Sequence, residues 1–193
     1  MVEVLDRCGH SVERALVNQE RIDRLNAAIR DVNDFPKPGI VFKDITPVLG
    51  DGALFRETID GFIDMIGEEK PTKIIGIDAR GFIFGAALAD RIGAGFVPVR
   101  KKGKLPWETN GRSYSLEYGE AHVEIHKDAV KPGEKVVLLD DLLATGGTAG
   151  AALKLVQELG AEVLCVLFLI ELEFLEGRKN IDSGVRCEAL LTY

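Results

Sequence analysis

Three observations predict an α/β fold in which a central, mainly parallel sheet is flanked by helices. Short apolar runs of strand length alternate with amphipathic stretches of helix length along most of the chain. Several of those runs are apolar at every position rather than at every second one, which marks strands covered on both faces. Finally, the run Val136-Val137-Leu138-Leu139 ends in Asp140-Asp141 and passes through a glycine-bearing turn into a helical pattern, the strand-turn-helix succession of a parallel sheet.

Each element follows from its local pattern. Val12, Ala15, Leu16, Ile22, Leu25, Ile29 and Val32 recur at helical spacing, with Arg14, Glu20, Arg21 and Arg24 on the other face, so a helix is expected from Val12 to Val32. It is expected to stop before Phe35-Pro36-Lys37-Pro38-Gly39, because proline disfavours helical geometry in the residue that precedes it. A loop carrying Ile40-Val41-Phe42-Lys43 follows. Gly50-Asp51-Gly52 opens a second helix through Phe55, Ile59, Phe62, Ile63 and Ile66. The order then runs strand Lys73–Ile77, helix Phe82–Arg91, strand Phe96–Val99, strand Lys135–Leu139, helix Thr148–Leu159 and strand Val163–Ile170. Right-handed crossovers place the loops after the strands along one rim, where open α/β sheets bind ligands. Lys101 to Gly119 breaks the pattern with Gly103, Pro106, Gly111 and Gly119 and little apolar periodicity, and reads as a long mobile loop of the kind that forms active-site lids.

Composition narrows the function. With 193 residues, 46% of them hydrophobic and 28% charged, the chain is long enough to bury its own core, and one domain is expected. The balance of 24 Lys+Arg against 31 Asp+Glu gives a net charge of −7, which a phosphate backbone would repel, so nucleic acid is not expected as a partner. Cys8, Cys165 and Cys187 are unclustered and odd in number, which builds neither a disulfide framework nor a zinc site and suits a reducing cytoplasm. The first residues alternate charge with apolar character and do not read as an export signal. The longest apolar run, Val163 to Ile170, has 8 residues against the roughly 20 a membrane-spanning helix needs, so no membrane is expected.

The turn Ala144-Thr145-Gly146-Gly147-Thr148 carries the most chemistry. Glycines let a backbone approach an anion, the first N–H groups of the following helix point at it, and Thr145 and Thr148 add hydroxyl donors, so this is a candidate phosphate cradle. Asp140 and Asp141 cannot serve that phosphate because like charges repel. They suit hydroxyl donors or a developing positive charge. A phosphorylated sugar meets both demands. Taken alone, two acids at a strand end can also cap a helix or face solvent, and Gly-Gly can simply turn the chain. His122 and His126 stand four apart, but Ala121 to His126 alternates as a strand does, which argues against a helical metal pair. Gly93-Ala94-Gly95 lacks the rest of a dinucleotide fingerprint, and the chain has no Gly-x4-Gly-Lys-Ser/Thr loop.

Four apolar residues, two acids and a Thr-Gly-rich loop in this order resemble the phosphoribosyl-pyrophosphate (PRPP) motif of the type I phosphoribosyltransferases. The flanks Phe35 to Ile45, Asp78-Ala79-Arg80-Gly81-Phe82, Arg100 to Pro106 and Tyr114-Ser115-Leu116-Glu117-Tyr118-Gly119 look like segments of the adenine-specific members. The resemblance runs from about Ile22 to Arg178. It implies the type I fold, with a small hood and a flexible lid, in a single domain. Residues 1–34 would form an N-terminal helical extension, 35–49 a base-recognition loop and 100–119 the lid. The implied activity joins adenine to the ribose of PRPP with magnesium, giving AMP and pyrophosphate, in a cytoplasmic homodimer.

The resemblance also implies roles. Ala144, Thr145, Gly146, Gly147 and Thr148 would hold the ribose 5-phosphate. Asp140 and Asp141 would face the ribose hydroxyls and stabilise the oxocarbenium-like carbon formed as pyrophosphate departs. Asp78, Ala79, Arg80, Arg100, Lys101, Lys102 and Lys104 would receive pyrophosphate, with a non-proline cis peptide in the turn at Asp78 and Ala79. No direct protein ligand to magnesium is implied; PRPP and water would hold it. Phe42 would stack on the purine, the Val41 backbone would read the adenine edge, and Leu172 would close the opposite face. Lys43 departs from relatives that carry arginine there. Glu117 would transfer a proton at adenine, and Tyr118 would pack over the closed site. A transferase for another purine base and a non-catalytic PRPP sensor are the alternatives; the sensor is disfavoured because no helix-turn-helix or basic stripe is visible. A receiver domain is disfavoured because only 52 residues follow Asp141.

Overall fold

The computed structural model describes residues 12–116 and 119–193, with side chains described outside 12–18 and 115–120. The chain forms two compact units, Met1–Gly61 and Phe62–Tyr193.

In the first unit, helix α1 spans Val12–Ala28 and ends short of the expected Val32. Arg30–Asn33 is instead strand β1, antiparallel to β2, Val41–Asp44, in the register Arg30↔Asp44 to Asn33↔Val41. The segment expected to be a loop at Ile40–Lys43 is therefore largely a hairpin strand. The reason is local closure. The connection turns through Asp34, at φ 56°, whose carboxylate accepts the Gly39 N–H at 2.7 Å, while Phe35 N–H donates to the Ile40 carbonyl at 3.2 Å. The short helix α2, Thr46–Gly50, follows, and α3, Gly52–Ile66, then runs on into the second unit. Leu25, Ile45, Val48 and Ile59 are buried.

The second unit contains a seven-stranded sheet in the order β5-β6-β4-β3-β7-β8-β9. The strands are β3 (Lys73–Ile77), β4 (Gly95–Lys101), β5 (Thr109–Leu116), β6 (Gly119–His126), β7 (Lys135–Leu143), β8 (Glu162–Glu171) and β9 (Arg186–Thr192). Pairing is parallel from β4 through β3, β7 and β8 to β9, and antiparallel for β4–β6 and β5–β6. Helices α4 (Gly81–Ile92) and α5 (Gly147–Glu158) cover the two faces. Ile75, Ile77, Val97, Val99, Val136, Leu138, Val166 and Phe168, all of one parity on their strands, pack with Ala152, Leu155 and Val156 of α5 in one core. The opposite parity meets α4, where Gly85 lies against Gly76 and the Phe96 ring. Leu138 is completely buried, so truncation to alanine would cost about 2–5 kcal/mol.

The expected loop at 101–119 is a second correction. Among the described residues of this segment only the turn between β4 and β5 is irregular; Thr109–Leu116 pairs residue for residue with β6 from Thr109↔His126 to Leu116↔Gly119. Its residues are too polar to show an apolar period, and the strand is held by its partner and by α5 instead. Among the described residues no helix is long and apolar enough to cross a membrane.

Candidate active site

In this sheet the chain leaves β3 for β4 on one side, and leaves β7 for β8 on the other. The connections diverge between β3 and β7, and a crevice opens at such a switch point beyond the carboxyl ends of the strands. The loops that meet there are Asp78–Arg80 after β3 and Ala144–Gly146 after β7. Gly81 allows the close approach, since a Cβ on it would lie 2.7 Å from the Leu139 carbonyl oxygen and 2.9 Å from Asp140 Oδ1.

Asp140, Asp141 and Arg80 are brought together. The Asp141 side chain is buried, at 6% exposure for the residue, and Arg80 Nε donates to its Oδ2 at 2.5 Å. Asp140 accepts the Asp141 backbone N–H on Oδ1 at 2.9 Å and lines the hollow of the following turn. Burial first, and then the adjacent Asp141 charge, push the Asp140 carboxyl well above the usual carboxylate range. The free chain thus stores a carboxyl whose ionised form gains from an arriving positive charge.

The turn itself forms a hollow of about 80 Å³ lined by Asp140, Leu142, Leu143 and Ala144 through Ala149, so every residue of the predicted cradle faces it. Gly146 sits at φ 76°, and α5 starts at Gly147 with its first intrahelical bond from Gly150 N–H to the Gly146 carbonyl at 2.8 Å. The N–H groups ahead of that bond have no intrahelical acceptor and are the natural donors to an anion.

A back wall that sequence reasoning missed fixes this turn. A Cβ on Gly146 would lie 2.1 Å from the Gly177 carbonyl oxygen, and one on Gly177 would lie 2.2 Å from the Ala144 carbonyl oxygen. Asn180 Nδ2 donates to the Thr145 carbonyl at 2.7 Å. Beside this wall Arg178 grips the buried Glu171 with two hydrogen bonds, at 2.7 and 2.6 Å. These partners lie about 30 residues from the turn, and no local pattern announces them.

The pyrophosphate candidates form a second cluster. The Asp78–Ala79 peptide is cis, as the resemblance implied, and Asp78 N–H donates to the Val99 carbonyl at 2.9 Å. Arg100 Nε donates to Asp78 Oδ2 at 3.2 Å, and its guanidinium lies 5.8 Å from the centre of the Phe82 ring. Lys101, Lys102 and Lys104 are exposed at the end of β4. Their turn closes with Lys104 N–H on the Lys101 carbonyl at 3.2 Å, and Gly103 N–H donates to Glu124 Oε2 at 2.9 Å.

The remaining candidates belong to other elements. Leu172 follows β8, half-buried, with its N–H on the Leu143 carbonyl at 2.9 Å, which ties it to the end of β7. Val41, Phe42 and Lys43 belong to β2 in the first unit. Val41 is 47% exposed, Phe42 stands edge-on to Phe35 at 5.3 Å, and Lys43 Nζ pairs with Asp31 at 2.7 Å. Glu117 and Tyr118 lie outside the described residues. His122 and His126 occur on strand β6, in keeping with the alternation seen in sequence. Among the described residues no three His, Cys, Asp or Glu side chains converge to hold a metal ion.

Comparison with known proteins places this arrangement. The model of the phosphoribosyl transferase domain matches residues 52–187. The adenine phosphoribosyltransferase of Anaeromyxobacter dehalogenans is 55% identical over 172 residues, 89% of this chain and 99% of that protein. The crystal structure of adenine phosphoribosyltransferase from Rhodothermus marinus superposes with a TM-score of 0.86 at 50% identity, covering 91% of this chain and 99% of that one. The Saccharomyces cerevisiae enzyme, solved with adenine and an imino-altritol bisphosphate, gives 0.86 at 40% identity over 90% of this chain and 99% of that one.

Proposed function

The chain belongs to the adenine phosphoribosyltransferases, and from that membership we propose how its residues divide the work of moving the 5-phosphoribosyl group of PRPP to adenine, with release of AMP and pyrophosphate. The observation that carries the assignment of roles is the hollow at the end of β7, in which the Ala144–Thr148 turn and Asp140 share one wall.

The turn holds the ribose 5-phosphate through backbone N–H groups and the Thr145 and Thr148 hydroxyls. That grip is the same before and after reaction, so it positions the sugar without discriminating the transition state. Asp140 and Asp141 supply the discriminating part. As the bond between C1 of the sugar and pyrophosphate breaks, positive charge grows on the ring, and a carboxyl that burial disfavours as an anion becomes a favourable partner for it. Arg80 compensates the buried Asp141, and turns to pyrophosphate as that group leaves with its charge. Asp78, Ala79, Arg100, Lys101, Lys102 and Lys104 complete the receiving surface.

Magnesium, when bound with PRPP, supplies charge neutralisation on the diphosphate. The hard oxygens of Asp140 and Asp141 would hold it as outer partners, with PRPP and water as its nearer ligands. Phe42 stacks on the purine. The Val41 backbone meets the N1 acceptor and amino donor of adenine, a pair that hypoxanthine reverses, so the wrong base leaves polar groups unpaired. Leu172 covers the other face of the ring, Lys43 steadies the hairpin through Asp31, and Tyr118 packs over the site. Glu117 takes the proton that adenine loses as its N9 bonds to the sugar carbon. The unpaired Cys165 and Cys187 suit a reducing cytoplasm, and the acting form is a homodimer.

Purified protein with PRPP and magnesium, offered adenine, hypoxanthine, guanine or no base, tests the activity. AMP from adenine alone is expected, with turnover lost on chelation. Nucleotide formation chiefly from hypoxanthine or guanine would overturn the base assignment. Glu117→Gln is expected to lower kcat and remove the acidic limb of the pH–rate profile; an unchanged rate and profile would take Glu117 out of the mechanism. Sedimentation of the purified chain tests the dimer.

A further inference from the structure

The geometry points to Tyr114 as a positioning residue of the phosphate site, acting through Thr148 from a strand that lies 34 residues away in sequence. Thr148 Oγ1 donates a hydrogen bond to the Tyr114 hydroxyl at 3.0 Å. Thr148 lines the hollow of the cradle, and Tyr114 is half-buried against the core beneath α5. Two residues before it on β5, Arg112 pairs with Glu158 at the other end of α5. Residues two apart on a strand share a face. One face of β5 is thus fastened to both ends of the helix whose first turn forms the cradle.

Each hydroxyl has one hydrogen and can accept as well as donate. Their contact uses one of the two hydroxyl hydrogens and leaves the other for a further acceptor. A phosphate in the hollow has only acceptor oxygens to offer, so Thr148 has to donate to it. Tyr114 can then turn its own hydrogen onto Thr148 Oγ1, giving a chain from tyrosine to threonine to phosphate. Only two hydroxyl hydrogens rotate. A donor that is itself receiving a hydrogen bond is polarised into a stronger one, and its lone pairs are held in register for the anion. Without the tyrosine hydroxyl, Thr148 keeps its reach and loses that orientation.

This inference rests on the cradle binding a sugar phosphate, as proposed above, and deepens that assignment. Tyr114→Phe keeps the ring and its packing and removes only the hydroxyl. It is expected to weaken ribose 5-phosphate and AMP binding, measured by calorimetry, and to raise KM for PRPP, each about 5- to 10-fold. KM for adenine and kcat should stay within about twofold, as loss of binding shared by ground and transition states requires. A double-mutant cycle supplies the readout that a merely structural role would not move. On a Thr148→Ala background, Tyr114→Phe should cost nothing further, while on Thr148→Ser, which keeps the hydroxyl, it should again cost several-fold. Sugar-phosphate affinity unchanged in Tyr114→Phe, or a loss that multiplies in full on Thr148→Ala, would overturn the coupling. A wild type that binds ribose 5-phosphate with the Tyr114 effect but does not turn over adenine would refute the adenine assignment and leave the coupling standing.

Discussion

The cradle after β7 and the basic turn after β4 are both suited to phosphate, yet they are built in opposite ways. The cradle is over-determined. Gly146 and Gly177 face each other with no room for a methyl group on either, Asn180 holds the Thr145 carbonyl, and Tyr114 engages Thr148. The basic turn is held by its closing bond, by Lys102 N–H on the His122 carbonyl, by Arg100 on the Lys104 carbonyl and by Gly103 N–H on Glu124, yet it carries Lys101, Lys102 and Lys104 into solvent and leaves Trp107 68% exposed. The contrast fits what each has to do. The 5-phosphate stays bound from substrate to product and profits from a fixed seat, whereas pyrophosphate has to leave, and cations that reach into solvent can release it.

The largest effect should come from the carboxylates that stand beside the fixed seat. Replacing Asp140 and Asp141 together with asparagine is expected to lower kcat by about 10²- to 10³-fold, the scale for a charge aimed at a developing centre. A rate within a few-fold of wild type, in steady-state assay, would remove them from catalysis. Next comes the wall. Gly177→Ala would put a Cβ 2.2 Å from the Ala144 carbonyl oxygen, so the cradle has to shift, and kcat/KM for PRPP should fall about 100-fold. The matched change in the basic turn is Gly103→Ala. There the site has open space and φ 74°, so the cost is confined to about 1–2 kcal/mol of backbone strain, read as a lower Tm with far less loss of kcat/KM. Equal losses from the two glycines would break the contrast.

Smaller effects sharpen it. Glu124→Gln weakens the charged anchor of Gly103 and should raise the inhibition constant for pyrophosphate about 2- to 5-fold, while ribose 5-phosphate affinity is unchanged. The smallest effect concerns stability and pH. Asp140 has a raised pKa in the folded chain, so the native state binds more protons than the unfolded one between the ordinary Asp value and the folded value, and stability falls as pH rises through that window. Asp140→Asn should therefore raise Tm at neutral pH, and the gain should vanish below about pH 4. A Tm increment that does not change with pH would refute the assignment of that shift to Asp140.

The sequence made legible what is local. Strand Lys73–Ile77, the two helices packed on the sheet and the turn Ala144–Thr148 follow from periodicity and one contiguous motif, because their chemistry and their geometry are written in neighbouring residues, whereas β7, expected to end at Leu139, runs on through both acids to Leu143. The segments Arg30–Asn33 and Thr109–Leu116 were not legible as strands. Arg-Asp-Val-Asn and Thr-Asn-Gly-Arg-Ser-Tyr-Ser-Leu carry little apolar alternation, and their partners β2 and β6, rather than their own propensity, settle their form. The supporting residues of the site were hidden for a related reason. Gly177, Asn180, Tyr114 and Glu124 act across about 20 to 35 residues of chain, and a glycine, an asparagine, a tyrosine or a glutamate at such a distance looks the same whether or not it touches a catalytic turn.

The divergence of the chain at β3 and β7 has a last consequence. Strands that share backbone hydrogen bonds run about 4.8 Å apart. The loops after β3 and β7 therefore inherit a separation from the sheet itself, as the jaws of a gauge inherit theirs from its frame. Loop substitutions can retune what each jaw grips, but the interval between the jaws belongs to the backbone ladder, and point changes in side chains leave it standing.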